Sequence, residues 1–376
     1  MSDWLSTLEH ETAMRERAGL RRELRPRGAD DELIDLAGND YLGLSRHPEV
    51  LAAAMAAIKG YGLGATGSRL VRGSTDLHAE LESGLARLLG AEAALVYSSG
   101  YLANLGAIRA LAGPLIASDA HNHASIVDGC RLARTQTVVY AHGSVEEVEE
   151  ALAGQAGALV VTESVFSVDG DLVPLRELHA VARRHGAILL VDDAHGLGVL
   201  GASGAGGVVE AGLAGEPDVV VTVTLSKAFG GSGGVVAGPA ALIRHLVDTG
   251  RTFIYDTALP PAVAAGALAA LDLVRAGDAH RAELRERAAL AAARLGVPAP
   301  AAGVLSVPAA GPDEAVAWSA ACRARGVAVG CFRPPSTPDG RSRLRLTVNT
   351  GVPREDFARA LDVIASERPA RRARPV

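Results

Sequence analysis

The fold is decided by residues 218–234, Asp218-Val-Val-Val-Thr-Val-Thr-Leu-Ser-Lys-Ala-Phe-Gly-Gly-Ser-Gly-Gly. The β-branched run from Val219 to Val223 is typical of a strand buried on both faces, as in a parallel sheet. Lys227 follows the strand, between hydroxyl groups and a flexible glycine turn. Burial would lower the pKa of its amine, which favours attack on a carbonyl group to form a Schiff base. Taken alone, a lysine that merely ends a strand explains the pattern equally well.

Length and composition limit the classes of protein that the chain can form. Its 376 residues suffice for one large α/β domain and a smaller one. The net charge of −6 gives no general basic surface for nucleic acid, and no apolar run approaches the ~18 residues of a membrane span. The first residues lack the apolar region of a secretion signal, so we expect a cytoplasmic protein. Cys130, Cys322 and Cys331 have no metal-binding spacing, so we expect no metal.

Helical and strand patterns alternate along most of the chain. Strands near 93–97, 115–118, 136–140, 157–162, 187–192 and 218–223 are separated by helical segments, which predicts a mostly parallel central sheet flanked by helices. A further strand from Gly234 would run back beside the lysine-bearing strand. We expect an N-terminal helix, over 3–25, and a short strand within 1–37. A large domain over 38–276 and a small C-terminal α+β domain over 277–376 follow, the latter ending in a frayed basic tail.

Polar residues with possible chemical roles follow several of these strands. In open α/β sheets, ligands bind at the carboxyl ends of the strands. Gly100 opens a helix whose free amides suit a phosphate, His123 follows the next strand, and Asp192 and His195 follow the strand at 187–192. Each has a structural alternative, such as an ordinary helix start or a surface histidine that caps a helix. A buried carboxylate at the end of an apolar strand is costly without a cationic partner.

These groups together match the needs of pyridoxal 5′-phosphate (PLP). A carboxylate keeps the pyridine nitrogen protonated, so that the ring accepts electrons, and a lysine holds the aldehyde as a Schiff base. Hydroxyl groups and backbone amides hold the phosphate. The set therefore predicts a PLP-dependent enzyme built around Lys227 and Asp192.

Five motifs, in order along nearly the whole chain, resemble those of the α-oxoamine synthases. This family consists of fold-type I PLP-dependent enzymes that join an amino acid to an acyl thioester with loss of CO2. The motifs are Asn39-Asp-Tyr-Leu-Gly-Leu-Ser, Phe166-Ser-Val-Asp-Gly-Asp, Val191-Asp-Asp-Ala-His-Gly-Leu-Gly, Thr224-Leu-Ser-Lys, and Arg333-Pro-Pro-Ser-Thr-Pro with Arg343-Leu-Arg-Leu-Thr.

The resemblance implies a role for each matching residue. Those expected at the PLP ring are Lys227 (Schiff base and proton shuttle), Asp192 (ring nitrogen), His195 (ring hydroxyl), His123 (stacking) and Ser167 (cofactor oxygen). Those expected around the phosphate and the adjoining backbone are Gly100, Tyr101, Asp193, Ala194, Thr224, Leu225 and Ser226. Those expected to bind substrates are Arg345 (amino-acid carboxylate), Arg21 (distal acyl carboxylate), Asn39, His123 and Ser336. The family usually has threonine at the position of Ser336 and often phenylalanine at that of Tyr101.

The resemblance also implies substrates and assembly. It extends to the family member that condenses L-alanine with a pimeloyl thioester, carried by CoA or by acyl carrier protein, in biotin synthesis. The features that point there are Leu20-Arg-Arg, the compact length and Cys331-Phe-Arg-Pro-Pro. A homodimer with its active site at the interface is implied, with loop 62–73 as a candidate contributor. The alternatives are family members that use glycine with acetyl-CoA or succinyl-CoA or serine with a fatty acyl-CoA, a different fold-type I enzyme, and a non-enzymatic scaffold.

Overall fold

The computed structural model describes residues 3–369, which form fourteen α-helices and eleven β-strands. The helices are α1 (Trp4–Arg17), α2 (Pro48–Tyr61), α3 (Asp76–Leu89), α4 (Gly100–Leu111), α5 (Ala124–Ala133), α6 (Val145–Leu152), α7 (Leu175–Arg184), α8 (Gly207–Glu210), α9 (Ala240–Thr249), α10 (Arg251–Ile254), α11 (Pro261–Ala276), α12 (Asp278–Leu295), α13 (Pro312–Ala324) and α14 (Arg354–Ser366). The strands are β1 (Ile34–Leu36), β2 (Ala93–Tyr97), β3 (Leu115–Asp119), β4 (Gln136–Tyr140), β5 (Leu159–Glu163), β6 (Ile188–Asp192), β7 (Val219–Thr224), β8 (Gly234–Gly238), β9 (Val304–Pro308), β10 (Val327–Phe332) and β11 (Arg343–Thr347).

The larger of two sheets carries the lysine-bearing strand. Its seven strands lie in the order β2-β8-β7-β6-β5-β3-β4, and all run in one direction except β8, which is antiparallel to both of its neighbours. The prediction of a mostly parallel α/β sheet, with the strand from Gly234 running back beside β7, is therefore confirmed. Every residue of β7 is buried, which agrees with its β-branched composition.

The strand register of the larger sheet brings polar residues to one edge. Glu163 at the end of β5 is paired with Asp192 at the end of β6, and Asp192 is paired with Thr222 near the end of β7. Parallel strands end on the same side of a sheet, so these residues and the segment after β7 must lie close together.

The smaller sheet has four strands in the order β1-β10-β11-β9. Strand β1 runs parallel to β10, with Ile34 opposite Val327, so the N-terminal strand joins a sheet built mostly from the C-terminal part of the chain. Strand β11 is buried along its whole length between β10 and β9. The division of the chain at residues 37 and 276 stays a prediction.

The N-terminal helix is shorter than predicted. Helix α1 ends at Arg17, not near residue 25, because Gly19 adopts a left-handed conformation with φ of 66° and the chain then runs on without regular structure. Helix α9, which the sequence analysis did not predict, packs beside β2 and β8. The predicted basic tail, from Arg368, lies outside the described residues from position 370 onward. Within residues 3–369, no helix is both long enough and apolar enough to span a membrane.

Candidate active site

Asp192 is held at the end of β6 by two hydrogen bonds. Its Oδ1 accepts from the backbone N–H of Ala194 at 3.0 Å, and its Oδ2 accepts from Nδ2 of Asn104 at 2.7 Å. The same Asn104 nitrogen donates to Ser125 Oγ at 2.8 Å, while Asn104 Oδ1 accepts from Thr222 Oγ1 at 2.6 Å. The carboxylate is buried and neutral groups fix its direction, so it remains available to a cationic ring nitrogen.

Asn104 is a residue that the sequence analysis missed. It lies four residues after Gly100 on helix α4, and residues at this spacing share one face of a helix. This spacing could have predicted the position of Asn104, because a helix that presents Gly100 to a ligand also turns Asn104 toward the strand ends. Ser125 and Thr222, which orient Asn104, were likewise not identified.

Lys227 follows β7 and is partly buried. Burial is the main cause that lowers the pKa of its amine from 10.5 to about 8. The negative charges of Asp192 and Glu163 oppose this shift, and the positive charge of Arg345 adds to it. A pKa of about 8 gives the amine an appreciable neutral fraction near pH 7, which a nucleophile or base requires.

His123 caps the start of helix α5 and contacts Glu163 at the end of β5. Its backbone N–H donates to Glu163 Oε1 at 2.7 Å, and its Nδ1 lies 2.7 Å from Ser125 Oγ. The side chain is exposed, while the protein packed around it lowers its pKa by desolvation. A neutral ring with an open surface is suited to stacking on a flat cofactor. Glu163, whose burial raises its pKa well above the usual range, is a second missed residue.

His195 is buried and bonded to Tyr41. Its Nδ1 lies 2.5 Å from the Tyr41 hydroxyl, and the two rings meet edge to face. Burial lowers the pKa of His195 well below its usual value and raises that of Tyr41 to about 12, so both groups are neutral near pH 7. Tyr41 lies within the quoted Asn39 motif, but its contact with His195 was not predicted.

Asp193 contacts the backbone rather than the cluster around Lys227. Its carboxylate accepts hydrogen bonds from Ser164 Oγ and from the backbone N–H groups of Gly207 and Val208. Burial raises its pKa to about 6, and these hydrogen bonds oppose that rise. Asp193 therefore fixes the turn that carries Ala194 and His195, and it reaches any ligand only through its neighbours.

The start of helix α4 offers backbone donors to an anion. Ser99 caps the helix by accepting from the N–H of Leu102 at 3.2 Å, and Gly100 and Tyr101 occupy the first two helical positions. A Cβ on Gly100 would lie 3.1 Å from Thr224 Cβ, so only glycine lets α4 approach β7 this closely. The Tyr101 hydroxyl donates to Asp128, which leaves its backbone as the part that faces this corner.

Hydroxyl groups from the segment after β7 lie beside the start of α4. Thr224 Oγ1 is 2.8 Å from Ser226 Oγ and donates to the carbonyl of Gly233 at 3.0 Å. The N–H of Leu225 also bonds to Gly233, so the turn that carries the lysine is closed by its own backbone. A carboxylate, an amine, an exposed imidazole and a helix start with adjacent hydroxyls therefore lie at the same edge of the larger sheet, and this donor set fits PLP.

Arg345 lies on β11 of the smaller sheet and is almost fully buried. Its Nε donates to the Ser167 carbonyl at 3.0 Å, and its Nη1 donates to Asn39 Oδ1 at 2.7 Å and Thr347 Oγ1 at 3.0 Å. Nη2 takes part in none of these three hydrogen bonds, and the guanidinium also lies beside the Tyr41 hydroxyl, whose pKa it acts to lower against the larger effect of burial. Ser167, Asn39 and Arg345, three residues that the sequence analysis singled out, are thus brought into direct contact.

Arg21 and Ser336 lie apart from this cluster. Arg21 is about half exposed and donates to Glu16 at 2.8 Å, while the exposed Ser336 accepts from Arg22 at 2.7 Å. Arg333 connects them to the smaller sheet by donating to the carbonyl of Arg21 at 3.1 Å. Their substrate roles stay predictions.

The described part of the chain contains one group of three potential metal ligands, His179, Glu216 and Asp218. Arg183 donates to both carboxylates of this group, and His179 Nε2 lies 2.9 Å from Asp218. The group is thus an ion-pair network at the opposite end of β7 from Lys227.

His142 links the end of β3 to the segment that follows β5. Its Nδ1 lies 2.9 Å from Asp119 Oδ1 and its Nε2 2.5 Å from Asp171 Oδ2, while its ring stacks on that of His121 at 4.1 Å. The hydrogen bonds to Asp119 and then Asp171 raise the pKa of His142 to about 10. The imidazole is therefore charged at neutral pH and joins two carboxylates.

Comparisons with known proteins agree with this geometry. Residues 31–364 match the model of the aminotransferase class I and II family. The 8-amino-7-oxononanoate synthase of Mycolicibacterium smegmatis is 54% identical over 366 residues, covering 96% of this chain and 95% of that protein. The protein of the same name from Mycolicibacterium gilvum is 51% identical, covering 96% of each chain.

Solved structures give the same class of protein. Serine palmitoyltransferase of Sphingomonas wittichii superposes with a TM-score of 0.89 at 32% identity and 97% coverage of both chains. The 8-amino-7-oxononanoate synthase of Francisella tularensis gives 0.77 at 28% identity, covering 90% of this chain and 98% of that one. The chain belongs to the aminotransferase class I and II family and is a fold-type I PLP-dependent enzyme. Within that family it is an acyltransferase of the 8-amino-7-oxononanoate synthase type.

The raised pKa of His142 predicts a pH-dependent contribution to stability. The folded protein keeps the proton up to about pH 10, whereas the unfolded chain loses it near pH 6.5. The stabilisation is therefore complete below pH 6.5 and is lost as pH rises toward 10. We expect His142→Gln to lower the melting temperature most at pH 6 and progressively less toward pH 10.

Thermal unfolding followed by circular dichroism at several pH values measures this difference. The exposed His280→Gln on α12 is the matched control and should differ from the parent protein by the same small amount at every pH. A melting-temperature difference for His142→Gln that stays constant from pH 6 to pH 10 would contradict the assignment of a charged imidazole.

Proposed function

We propose that the protein condenses L-alanine with a pimeloyl thioester, releasing CO2 and the free thiol, to form 8-amino-7-oxononanoate for biotin synthesis. The observation that carries this proposal is that relatives named 8-amino-7-oxononanoate synthase are 51–54% identical over 93–96% of the chain. The site supports it, because the residues around Lys227 suit PLP and Arg345 offers a free donor for a carboxylate.

The chain's own residues would share the work of binding PLP, which supplies an electron sink for the carbanion formed at the amino acid's α-carbon. Lys227 would hold the aldehyde, Asp192 would pair with the ring nitrogen, and His123 would cover the ring. His195 and Ser167 would adjoin the ring oxygen. The groups proposed for the phosphate and its surroundings are Gly100, Tyr101, Asp193, Ala194, Thr224, Leu225 and Ser226.

Lys227 would also move the α-proton of the amino acid. An amine released from the cofactor, with a pKa of about 8, is well matched to accept a proton at neutral pH and return it later. Arg345 would hold the substrate carboxylate through Nη2, since its other nitrogens already donate to Ser167, Asn39 and Thr347.

A cavity of about 780 Å³ adjoins Asn39 and Ser226 and reaches the N-terminal segment at Arg25 and Arg27. We propose that the acyl thioester enters on this side, with Asn39 near its reacting end. Arg21 and Ser336 would meet the distal carboxylate of the pimeloyl chain. The acyl carrier would be either CoA or an acyl carrier protein.

We also propose a homodimer with its active sites at the interface. Apolar side chains are exposed along α2 and the adjoining loop 62–73, namely Leu51, Met55, Ile58, Leu63, Leu70 and Val71. A second copy that covered this surface would bring loop 62–73 toward the neighbouring site. Light scattering should then give twice the chain mass of 38.5 kDa, and a single-chain mass at micromolar concentration would count against the dimer.

The chain contains only two lysines, Lys227 and the exposed Lys59, which makes the anchor directly testable. We expect Lys227→Ala to abolish turnover while circular dichroism stays unchanged. Borohydride reduction followed by peptide mass spectrometry should find PLP on Lys227 in the parent protein and in the Lys59→Ala control. Parent-level turnover in Lys227→Ala, or PLP attached to Lys59, would contradict the proposed anchor.

Product analysis tests the substrate pair. The PLP-loaded protein would be mixed with pimeloyl-CoA or the pimeloyl carrier protein and with alanine, glycine or serine in turn. We expect 8-amino-7-oxononanoate from alanine at a rate well above that of any product from glycine or serine. Faster turnover of serine with a long-chain acyl-CoA would favour the activity named for the serine palmitoyltransferases, to which the chain is similar at a TM-score of 0.89.

Arg21→Ala tests the acyl side of the proposal. Removing a guanidinium that pairs with a substrate carboxylate should raise the KM for the pimeloyl thioester about tenfold, equivalent to about 1.4 kcal/mol, and leave the KM for alanine nearly unchanged. Arg15→Ala is the matched control, because Arg15 is also exposed and paired with a glutamate. Equal increases in both KM values would contradict a role at the distal carboxylate.

A further inference from the structure

A short hairpin lies between the two sheets. Residues 165–172 fold back on themselves, with Val165 and Leu172 in an antiparallel bridge and the N–H of Phe166 donating to the carbonyl of Asp171 at 3.0 Å. We call this segment the 165–172 hairpin. Its base is held from the side of the larger sheet, because His142 pairs with Asp171 and Phe166 lies edge-on to the His142 ring at 4.4 Å.

The tip of the hairpin rests on strand β11 of the smaller sheet. Arg343 and Arg345 are two residues apart on β11, so their side chains leave the same face of the strand. Arg345 Nε donates to the Ser167 carbonyl, and Arg343 Nη1 donates to both carboxylate oxygens of Asp169. The two-residue spacing on the strand thus matches the two-residue spacing on the hairpin.

The neighbouring strand β9 holds the rest of the tip. Ser306, which lies opposite Arg345 in the sheet, donates from Oγ to the Val168 carbonyl. Gly170 has a φ of 75°, and a Cβ there would lie 2.2 Å from the carbonyl oxygen of Val304. Only glycine therefore permits the hairpin to sit this close to β9.

These contacts leave Arg345 little freedom. The Ser167 carbonyl fixes one edge of the guanidinium, Asn39 and Thr347 take Nη1, and Nη2 remains for a ligand. The position of the Ser167 carbonyl depends on the hairpin, whose tip is tied to the sheet by one charged contact, Asp169 with the buried Arg343. Arg343 also pairs with Asp339, so it is already oriented before the hairpin docks.

We propose that Asp169 is a positioning residue for recognition of the amino acid's carboxylate. It docks the 165–172 hairpin on Arg343, and the docked hairpin aims Arg345 through the Ser167 carbonyl. Asp169 itself is exposed and touches neither the lysine nor the groups around it. The inference rests on the proposed role of Arg345 in binding that carboxylate.

The test compares alanine with ethylamine, which is alanine without its carboxylate. We expect both amines to change the absorption spectrum of the PLP-loaded enzyme on binding, so that dissociation constants follow from titration without measuring turnover. We expect Asp169→Asn to weaken alanine about tenfold and ethylamine less than about twofold. Asp169→Glu, which keeps the carboxylate, should restore most of the alanine affinity. Asp362→Asn, an exposed aspartate paired with Arg294, is the matched control and should change neither constant.

A second variant and a second measurement guard against a folding defect. Ser306→Ala removes the hydrogen bond to Val168. It should raise the ratio of the dissociation constant of alanine to that of ethylamine, by a smaller factor than Asp169→Asn does. Hydrogen–deuterium exchange should speed up in peptides that cover 165–172 in Asp169→Asn and stay unchanged in Asp362→Asn. Equal weakening of both amines by Asp169→Asn would overturn the proposal, since it would indicate a general defect of the site.

Arg345→Ala separates this inference from the proposed function. Suppose that Arg345→Ala leaves unchanged the ratio of the dissociation constant of alanine to that of ethylamine. Arg345 then does not bind the carboxylate, and both the proposed role and the inference built on it are wrong. If Arg345→Ala raises the ratio of these dissociation constants but Asp169→Asn and Ser306→Ala do not, the role of Arg345 holds and only the positioning by Asp169 is wrong.

Discussion

The site depends on keeping a carboxylate, Asp192, buried at the end of a parallel strand. Parallel register sets Glu163, Asp192 and Thr222 in one row and brings Lys227 to the same edge of the sheet. Two acids this close to one amine would repel each other if both were charged, and burial raises the pKa of Glu163 well above its usual range. Asp192 is the other acid of this row, and its neighbours fix the direction of its carboxylate. Neutral hydrogen bonds from Asn104 and Ala194 hold it without neutralising it, which leaves its charge for a cofactor cation.

The second constraint is that the substrate side of the site comes from the other sheet. Arg345 projects from β11, whereas Lys227 and Asp192 belong to the larger sheet. A reaction that uses residues of both sheets requires a fixed distance and orientation between the two sheets. The 165–172 hairpin does this physically, because His142 holds its base and Arg343, Ser306 and Arg345 hold its tip. Charged contacts therefore hold the hairpin at both ends, through Asp171 at its base and Asp169 at its tip.

Much of the fold was predictable because strands buried on both faces carry an unmistakable composition. The run Val219–Val223 and the acid that ends β6 located Lys227 and Asp192 at the sheet edge without knowledge of any contact. Asn104 was missed because its role depends on how α4 packs against β6 and β7. The bond between Tyr41 and His195 joins residues 154 apart in sequence, and the Asp169–Arg343 pair joins residues 174 apart. Local sequence patterns do not reveal contacts between residues so far apart in the chain. The predicted N-terminal helix was too long because the charged pattern continues beyond Gly19. The helix ends before Gly19 because of the backbone conformation there, not because of the composition.

The overall fold does not by itself determine the substrate. A serine palmitoyltransferase superposes on this chain over 97% of both chains. A relative that is 54% identical to this chain carries a different name, 8-amino-7-oxononanoate synthase. A fold shared by proteins of both names does not select the acyl group. The segment from Leu20 to Arg27 lacks regular structure and reaches the acyl cavity at Arg25 and Arg27, and Arg333 ties it to the smaller sheet. Its arginines face glutamates at only moderate burial, so an incoming carboxylate can displace those partners at little cost. Specificity for a dicarboxylic acyl chain is therefore expected from this exposed segment, while the buried cluster supplies the reaction shared by the family.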